Sequence, residues 1–392
     1  MIRHASCPSC HGQNLNDFFQ IKNAPIFSLV TVTSKDEALA VPKQDIQLSF
    51  CQDCGFIFNR SYDTGIDYFT MGYEDQQGFS ATFMAYLKRI SETLIDKYQL
   101  QGKTLMEIGC GKGDFINLLS DLAQGDGIGV DPAYVEGRQN NPRLTFYKDF
   151  YDHRHGLLKP DFICCRHTME HIFDTYGFLR QLRKSIPDGQ RPVLFFEVPQ
   201  INRILDIQAF WDIYYEHCSY FNATSFAALF RRCGFAVCDV RLDYGDQYLL
   251  LEAVPAAQEP EQEQFFDLEE PVARTAERVA RFQVEISRQL GEWRQRLEAE
   301  KQSGNKVVIW GGGSKSVGFL TNFADLDLIH YVVDINPNME GNFIPGIGSQ
   351  YVRPEFLKRY QPDTVIIMNG IYRDEITKTM TDMGVTPQIF TL

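Results

Sequence analysis

The sequence predicts an α/β protein in which two units of alternating strands and helices follow a small cysteine-rich module. Strand-like apolar runs alternate with helical segments of about 10 to 15 residues between residues 103 and 255, and the pattern starts again at residue 306. Such alternation is typical of a parallel sheet covered by helices on both faces. The chain has 392 residues. This is about two to three times the usual domain length, so more than one hydrophobic core is expected.

The N-terminal module, residues 1–70, is predicted to bind a structural zinc ion. Two C-x-x-C pairs occur there in the contexts "CPSCHG" and "CQDCGF", formed by Cys7, Cys10, Cys51 and Cys54. Two such pairs close a tetrahedral thiolate shell around Zn²⁺, and four protein ligands leave no position for a catalytic water. The alternative is a redox role, but nothing basic flanks the pairs closely enough to favour a reactive thiol.

The net charge indicates which kind of ligand the protein binds, and the N-terminal sequence indicates its cellular compartment. The formal charge of −13 and the pI near 5.1 argue against a nucleic-acid or anionic-membrane surface and favour a small-molecule ligand. The first residues lack the apolar core of a signal peptide. No apolar run approaches the roughly 20 residues that span a bilayer. We therefore expect a cytoplasmic protein.

Residues 71–255 are predicted to form the central domain. Its first helix follows Ser80, a suitable N-cap, in "SATFMAYLKRISETLIDKYQL", where apolar residues recur at helical spacing. Parallel strands are predicted at "TLMEIGC", "GIGVD", "LTFYKD", "DFICCRH" and "VLFFEVP". The last two runs, "AVCDVRLDY" and "QYLLLEAV", are joined by a short turn. They predict an antiparallel hairpin at the edge of the sheet.

Residues 256–303 are predicted to be a charged helical linker, and residues 304–392 a second α/β unit. The linker helix has an apolar stripe formed by Val272, Val279, Phe282, Ile286, Leu290 and Trp293. In the second unit, "KVVIWGGGSKSVGFL" forms a turn where Lys315 and a helix N-terminus can meet an anion. Asp334 ends the next strand, at a position suited to a ribose. Alternatively, this unit is purely structural.

The run "LMEIGCGKGDF" in the central domain is a candidate cofactor-binding loop. Gly109, Gly111 and Gly113 follow a buried strand and let the backbone approach a ligand closely. Glu107 lies at the end of that strand, and Asp131 ends the next one, where a carboxylate binds the hydroxyls of a ribose. The spacing lacks the full pattern that a pyrophosphate requires. The run resembles motif I of class I S-adenosylmethionine-dependent methyltransferases, with Asp131 as the ribose-binding residue.

Polar residues end the next three strands, and parallel strands bring such residues to one crevice. Asp149 and Phe150 end the third strand, where the methyltransferase fold holds the adenine of its cofactor. Arg166 and His167 end the fourth strand, and we assign Arg166 to cofactor binding. Glu197 closes the fifth strand at the same rim.

The stretch "YYEHCSYF" lies on an insertion between the fifth strand and the next helix, over the predicted cleft. There Glu216 could keep the imidazole of His217 basic, and Tyr214 could hydrogen-bond to an oxyanion. The alternative is that the rings pack as a lid and that His217 is a buried core histidine. A metal site formed by His167 and His171 is disfavoured, because no nearby carboxylate is suitably placed in the sequence.

Four segments in the same order resemble the nucleotide-sugar C-methyltransferases over essentially the whole chain: the cysteine pairs, "EIGCGKGDF", "RHTMEH" and "YYEHCSYF". That family methylates C3 of 4-keto-deoxysugars. It has a zinc-binding N-terminal domain, a central class I methyltransferase domain and a C-terminal Rossmann-like domain. Its Y-x-E-H-x-x-Y-[FY] signature matches Tyr214, Glu216, His217, Tyr220 and Phe221. The resemblance implies that His217 removes the proton beside the ketone, assisted by Glu216, Tyr214 and His167.

The predicted function is therefore S-adenosylmethionine-dependent C-methylation of a keto-sugar carried by a nucleotide. We assign substrate contacts to Tyr73, Glu197, Tyr220 and Lys315. Two segments depart from the family pattern: the C-terminal loop reads "WGGGSKS" instead of an A-K-G version, and the region around Tyr73 and Ser80 matches loosely. One alternative is methyl transfer to oxygen or nitrogen of another metabolite. Another is a scaffold that binds the cofactor and zinc without catalysis.

Overall fold

The structure, a computed structural model, describes residues 2–66, 72–74, 76–257 and 264–392. The predicted boundary at residues 70 and 71 and most of the acidic tract of the linker lie outside the described residues. The strands are β1 (Leu15–Pro25), β2 (Lys43–Cys51), β3 (Ile57–Asn59), β4 (Thr104–Ile108), β5 (Asp126–Val130), β6 (Leu144–Tyr147), β7 (Phe162–Arg166), β8 (Val193–Pro199), β9 (Ser219–Tyr220), β10 (Phe235–Asp243), β11 (Tyr248–Pro255), β12 (Val307–Trp310), β13 (Tyr331–Val333), β14 (Gln350–Val352), β15 (Thr364–Ile367) and β16 (Gln388–Thr391).

Helices cover both α/β sheets and connect their strands. They are α1 (Lys35–Ala40), α2 (Ala81–Tyr98), α3 (Asp114–Ala123), α4 (His153–Gly156), α5 (Thr175–Ser185), α6 (Ile201–Asp206), α7 (Ala223–Arg232), α8 (Val272–Gln302), α9 (Ser314–Thr321), α10 (Leu357–Tyr360) and α11 (Arg373–Asp382). The Ser80 hydroxyl accepts the Phe83 N–H at the start of α2, which confirms the predicted N-cap. Among the described residues, no helix is long and apolar enough to cross a membrane.

The central sheet has seven strands in the order β10-β11-β8-β7-β4-β5-β6. Strands β4 to β8 are parallel, whereas β11 runs antiparallel to both β8 and β10. The predicted antiparallel hairpin is therefore confirmed. The order reverses between β4 and β7, and in open α/β sheets ligands bind in the crevice outside the strand ends at that point.

The C-terminal sheet has five parallel strands in the order β14-β13-β12-β15-β16. The glycine-rich loop of this unit joins β12 to α9. Since β13 and β15 flank β12 on opposite sides, this loop also lies at a point where the strand order reverses. The second α/β unit predicted from the sequence is confirmed.

The N-terminal sheet contains a strand from the central part of the chain. Its order is β1-β2-β3-β9, and the antiparallel pairs Ile57↔Tyr220 and Phe58↔Ser219 join β3 to β9. The segment "YYEHCSYF" is therefore fastened at one end to the cysteine-rich module. This attachment was not predicted, because a two-residue strand with a distant partner has no local sequence pattern.

Two shared cores join the three sheets. One cluster of buried side chains includes Ile46 of β2, Phe282 of α8 and Ile309 of β12. The second cluster includes Phe58 of β3 and Phe226 of α7. Burial of such side chains contributes about 2 kcal/mol each, so neighbouring units compensate for the small core of the N-terminal module. Within the predicted stripe of α8, four residues are buried and two are half-buried: Val279, Phe282, Ile286 and Trp293, and Val272 and Leu290 respectively.

Candidate active site

A cavity of about 1440 Å³ lies where the three sheets meet. Tyr73 approaches it from the N-terminal side, Asp131 from the end of β5 in the central sheet, and Lys315 from the C-terminal unit. His217 reaches it from the segment before β9. Typical ligand pockets have volumes of about 300 to 1,000 Å³. The cavity is therefore large enough for two ligands, and both glycine-rich loops reach it.

The loop between β4 and α3 has a backbone that requires glycine. Gly109, Gly111 and Gly113 have φ values of 72°, 53° and 83°, in the left-handed region. A Cβ on Gly109 would lie 2.1 Å from the Thr168 Oγ1 atom, and a Cβ on Gly113 would lie 2.6 Å from the Phe146 ring. Substitution at either position would displace the loop from the cavity wall.

Two buried carboxylates shape this loop in different ways. Asp131 accepts the Gly111 N–H at 2.8 Å and the Ala133 N–H at 2.7 Å, and it lines the cavity. Glu107 accepts the Ile116 N–H at 3.0 Å and so fastens the start of α3 to the strand. Burial raises the pKa of Glu107 to about 8. The glycine loop between β4 and α3 and the Asp131 carboxylate fit the ribose of a nucleoside cofactor.

The predicted adenine contacts lie at the end of β6. Asp149 and Phe150 both line the cavity, and the Phe150 side chain is 60% exposed. Asp149 forms an ion pair with Arg154. Nearby, the rings of Tyr134 and Phe146 stack with centroids 4.0 Å apart. The role of Asp149 and Phe150 stays a prediction.

Arg166, His167 and Glu197 form one buried ion-pair network. Glu197 is fully buried and lies 2.7 Å from Arg166 Nη2 and 2.8 Å from His167 Nε2, and it also accepts the Tyr86 hydroxyl. Burial opposes its charge, but Arg166 and His167 lower the pKa of Glu197 to about 2. Arg166 lines the cavity, so its contact with the cofactor stays a prediction. Glu197 is absent from the described residues that line the cavity, because Arg166 and His167 hold it in the interior, and this corrects its assignment to the substrate.

His167 is held as a cation beside the cavity. Its Nδ1 atom lies 3.4 Å from a carboxylate oxygen of Glu170. Burial opposes the charge, but Glu170 and Glu197 raise the pKa of His167 to about 9. At neutral pH this side chain is therefore a hydrogen-bond donor and a positive charge, and it has no capacity to accept a proton.

His217 has the opposite electrostatic character. Its Nε2 atom lies 2.7 Å from the Tyr214 hydroxyl, and both side chains line the cavity. Burial, with His171 and His167 close by, lowers the pKa of His217 well below 6.5. Burial also raises the pKa of Tyr214 well above 10. At neutral pH the pair is an uncharged imidazole and an uncharged phenol, so His217 can accept a proton.

Glu216 points away from His217, which corrects the expectation that it keeps the imidazole basic. Its carboxylate accepts the Ser28 N–H at 3.0 Å, the Ser28 hydroxyl and the Tyr73 hydroxyl at 3.2 Å. Adjacent residues on this irregular segment project in different directions, so neighbours in sequence do not meet. Glu216 instead joins the segment to the N-terminal module.

His217 has a second partner that was not predicted from the sequence. His171 lies with its ring centroid 4.9 Å from that of His217. Ligating atoms of Glu170, His171 and His217 all lie within 4.8 Å of one another. The carboxylate judged absent from the sequence is thus supplied by Glu170, directly before His171. Such a cluster can share protons or hold a cation.

Two predicted substrate residues have other contacts. Tyr220 is buried in β9 and is absent from the described residues that line the cavity, because strand pairing with β3 holds it in the protein interior. Its assignment as a substrate contact is corrected. Lys315 does line the cavity, but its ammonium group pairs with Asp212. Tyr73 lines the cavity as predicted.

The four cysteines of the N-terminal module converge on one point. Their Sγ atoms all lie within 4.8 Å of one another, with 3.8 Å between Cys7 and Cys54 and 3.6 Å between Cys10 and Cys51. Tetrahedral zinc with Zn–S bonds of about 2.3 Å requires sulfur separations of about 3.8 Å. The Gly12 N–H also donates to the Cys10 Sγ atom at 3.4 Å. The group fits a structural zinc ion.

The sheet order and the glycine loop with its carboxylate define a class I, S-adenosylmethionine-dependent methyltransferase. Family comparison agrees: residues 79–240 match the family described as "Methyltransferase domain". Residues 251–388 match the family described as "C-methyltransferase C-terminal domain". These two matches, neither of which spans half of the chain, support an S-adenosylmethionine-dependent C-methyltransferase.

Individual relatives are distant. C-methyltransferase NovU of Streptomyces niveus is 24% identical over 315 residues, which cover 76% of this chain and 74% of that protein. Magnesium protoporphyrin IX methyltransferase (ChlM) from Synechocystis PCC 6803, solved with bound SAH, shares 16% identity and a TM-score of 0.36, covering 50% of this chain and 90% of that one. The CurJ carbon methyltransferase shares 15% identity and a TM-score of 0.34, covering 45% and 56% respectively.

Proposed function

We propose that the enzyme methylates the carbon beside the ketone of a 4-keto-deoxysugar carried by a nucleotide. One observation carries the proposal: an uncharged His217, hydrogen-bonded to Tyr214, lies on the wall of a cavity that reaches both glycine-rich loops. A carbon centre is a weak nucleophile unless a base removes its proton and the adjacent carbonyl takes up the charge. His217 supplies such a base.

The surrounding residues support this chemistry. His217 accepts the proton at Nδ1 when its Nε2–H donates to the Tyr214 oxygen, and this hydrogen bond orients the imidazole. As the proton leaves, negative charge develops on the carbonyl oxygen, and a fixed positive charge nearby stabilises it. The cationic His167 can provide that charge from the same cavity. Bound S-adenosylmethionine supplies the methyl group.

The C-terminal unit supports a nucleotide on the substrate. Asp334 accepts the Gly312 N–H at 2.7 Å and the Asn336 N–H at 2.7 Å. Asp131 of the central domain accepts two loop amides with nearly the same distances. The repetition of this carboxylate geometry around a second loop on the same cavity suits the ribose of a second nucleoside.

The proposal is tested by incubating the enzyme with labelled S-adenosylmethionine and a panel of nucleotide-linked 4-keto sugars. A mass gain of one methyl group, located on the carbon beside the ketone, is the expected product. A methyl group on oxygen or nitrogen would contradict C-methylation of this substrate.

The cluster of Glu170, His171 and His217 is tested by adding metal ions to the assay. If the cluster transfers protons, added Mg²⁺, Mn²⁺ or Zn²⁺ should leave the rate unchanged. A rate that depends on metal would contradict that role.

We predict that Asp131→Asn weakens binding of S-adenosylhomocysteine by about tenfold to hundredfold. The charged acceptor would be lost at the ribose position, and hydrogen bonds to charged groups contribute about 1.5 to 3 kcal/mol. Isothermal titration calorimetry measures the change. Asp126→Asn is the matched control, since Asp126 lies exposed at the opposite end of the same strand. Equal affinities for both variants would remove Asp131 from the cofactor site.

We also predict that the acidic limb of the kcat/KM profile lies below pH 6.5. A general base works only when it is unprotonated, and the folded protein lowers the pKa of His217 well below 6.5. Activity should therefore rise with pH through that lowered pKa and reach its plateau by pH 6.5. A limb centred above pH 6.5 would show that another group, or a differently placed His217, takes the proton.

A further inference from the structure

Two cations share one carboxylate on the cavity wall next to the proposed base. The ammonium group of Lys315 pairs with Asp212, and the Arg203 Nη1 atom lies 3.6 Å from the other oxygen of Asp212. All three side chains line the cavity and are partly exposed, by 26%, 23% and 14% for Lys315, Arg203 and Asp212. The trio has a net charge of +1.

The backbone adds to this positive potential. Lys315 is the second residue of α9, which begins at Ser314 and follows the Gly311–Gly313 turn. The first amides of a helix have no intrahelical acceptor, and the helix dipole is positive at this end. Gly313, the N-cap residue, provides no side chain to cap them. The Ser316 N–H donates to the Gly313 carbonyl at 2.9 Å. An anion at this point would therefore meet both side-chain cations and the positive end of the helix, where the Ser314 and Lys315 amides begin the first turn.

Two other carboxylates near the start of α9, Asp334 and Glu216, keep their charge but are engaged by other donors. Both oxygens of Asp334 already accept backbone amides, and Glu216 is bound by Ser28 and Tyr73. Burial and the closeness of Arg203 act to lower the pKa of Lys315 against the opposing effect of Asp212. The single carboxylate of Asp212 is therefore insufficient to neutralise two cations held this close together.

We infer that Arg203, Lys315 and the N-terminal amides of α9 bind the diphosphate of the nucleotide-linked substrate, and that Asp212 holds the two cations in place until it arrives. The inference rests on the proposed function for the substrate class. The charge of Asp212 acts on Tyr214 and that of Lys315 acts on His217, and all four side chains line the same cavity. A diphosphate here therefore places the attached sugar near the Tyr214–His217 pair. The reacting carbon of a 3-methylated hexose is two bonds from the carbon that carries the diphosphate.

This arrangement makes Asp212 a competitor of the ligand. Removing either cation should weaken anion binding, whereas removing the competing carboxylate should strengthen it. A purely structural ion-pair cluster predicts a different result, because loss of any member would disturb the wall and weaken binding in all three variants. The sign of the Asp212 effect therefore separates the two explanations.

The test uses the full chain saturated with S-adenosylhomocysteine and titrated with inorganic pyrophosphate, UDP and dTDP in a calorimeter. Arg203→Met and Lys315→Met should weaken binding of each probe by about tenfold or more. Asp212→Asn should tighten it several-fold. Lys378→Met removes an exposed cation elsewhere and should change nothing. Unchanged affinity for S-adenosylhomocysteine serves as the folding check for every variant.

Weaker binding in Asp212→Asn, or unchanged binding in both cation variants, would overturn the inference. Equal affinity for pyrophosphate and both nucleoside diphosphates would overturn the assignment to a nucleotide and leave a site for free pyrophosphate. None of these titrations involves methyl transfer. If the proposed C-methylation is wrong, the product assay shows it separately, through the position of the methyl group.

Discussion

His217→Ala should lower kcat by about 10²- to 10⁴-fold while binding of S-adenosylhomocysteine stays within twofold of the native protein. The reason is that the side chain removed is the uncharged imidazole on the cavity wall, whereas the glycine loop and Asp131 are untouched. Steady-state turnover with a nucleotide-linked 4-keto sugar and calorimetry with S-adenosylhomocysteine give the two values.

Two further variants sharpen this result. Tyr214→Phe keeps the ring but removes the hydroxyl that lies 2.7 Å from His217 Nε2, and it should cost less activity than loss of the imidazole. His330→Ala removes a half-exposed histidine in the C-terminal unit and should leave turnover unchanged. Full turnover of His217→Ala would show that a group other than His217 removes the proton.

Cys7→Ser should lose zinc and lower both thermal stability and activity. Structural zinc sites have apparent binding free energies on the order of 10 kcal/mol, comparable with the stability of a whole domain, about 5 to 15 kcal/mol. Strand β3, three residues after Cys54, pairs with β9, three residues after Glu216. Loss of the metal should therefore loosen the segment that carries His217.

Metal analysis of the purified protein, with a melting curve, measures this effect. The native protein should contain about one zinc ion per chain, and Cys7→Ser should contain much less and melt at a lower temperature. Cys238→Ser is the matched control, since Cys238 is exposed and lies in the edge strand β10. A Cys7→Ser variant with native zinc content and melting temperature would contradict a structural metal.

Much of the fold followed from local sequence patterns. The period of apolar residues predicted the α8 stripe, and the alternation of strands with helices predicted both parallel sheets. The pairing of β3 with β9 was missed because strand pairing over about 160 residues depends on tertiary contacts. For the same reason, the core shared by the N-terminal module, α8 and the C-terminal sheet was not predicted.

The sequence predicted which residues lie at the site better than it predicted which of their side chains contact each other. His217 and Tyr214 do meet, because a spacing of three residues brings them together on one turn. Arg166 and Glu197 are directly opposite in the register of β7 and β8. Register is fixed by the packing of the whole sheet, so their ion pair was not visible in the sequence. Glu170 was overlooked although it directly precedes His171.

Hydrogen exchange at the substrate carbon tests the central claim most directly. The enzyme is loaded with S-adenosylhomocysteine, which has no methyl group to transfer, and the nucleotide-linked 4-keto sugar is followed by NMR in D₂O. We predict that the native protein exchanges the proton beside the ketone and that His217→Ala does not, beyond the uncatalysed background. Undiminished exchange in the variant, or no exchange in the native protein, would contradict His217 as the base that activates carbon.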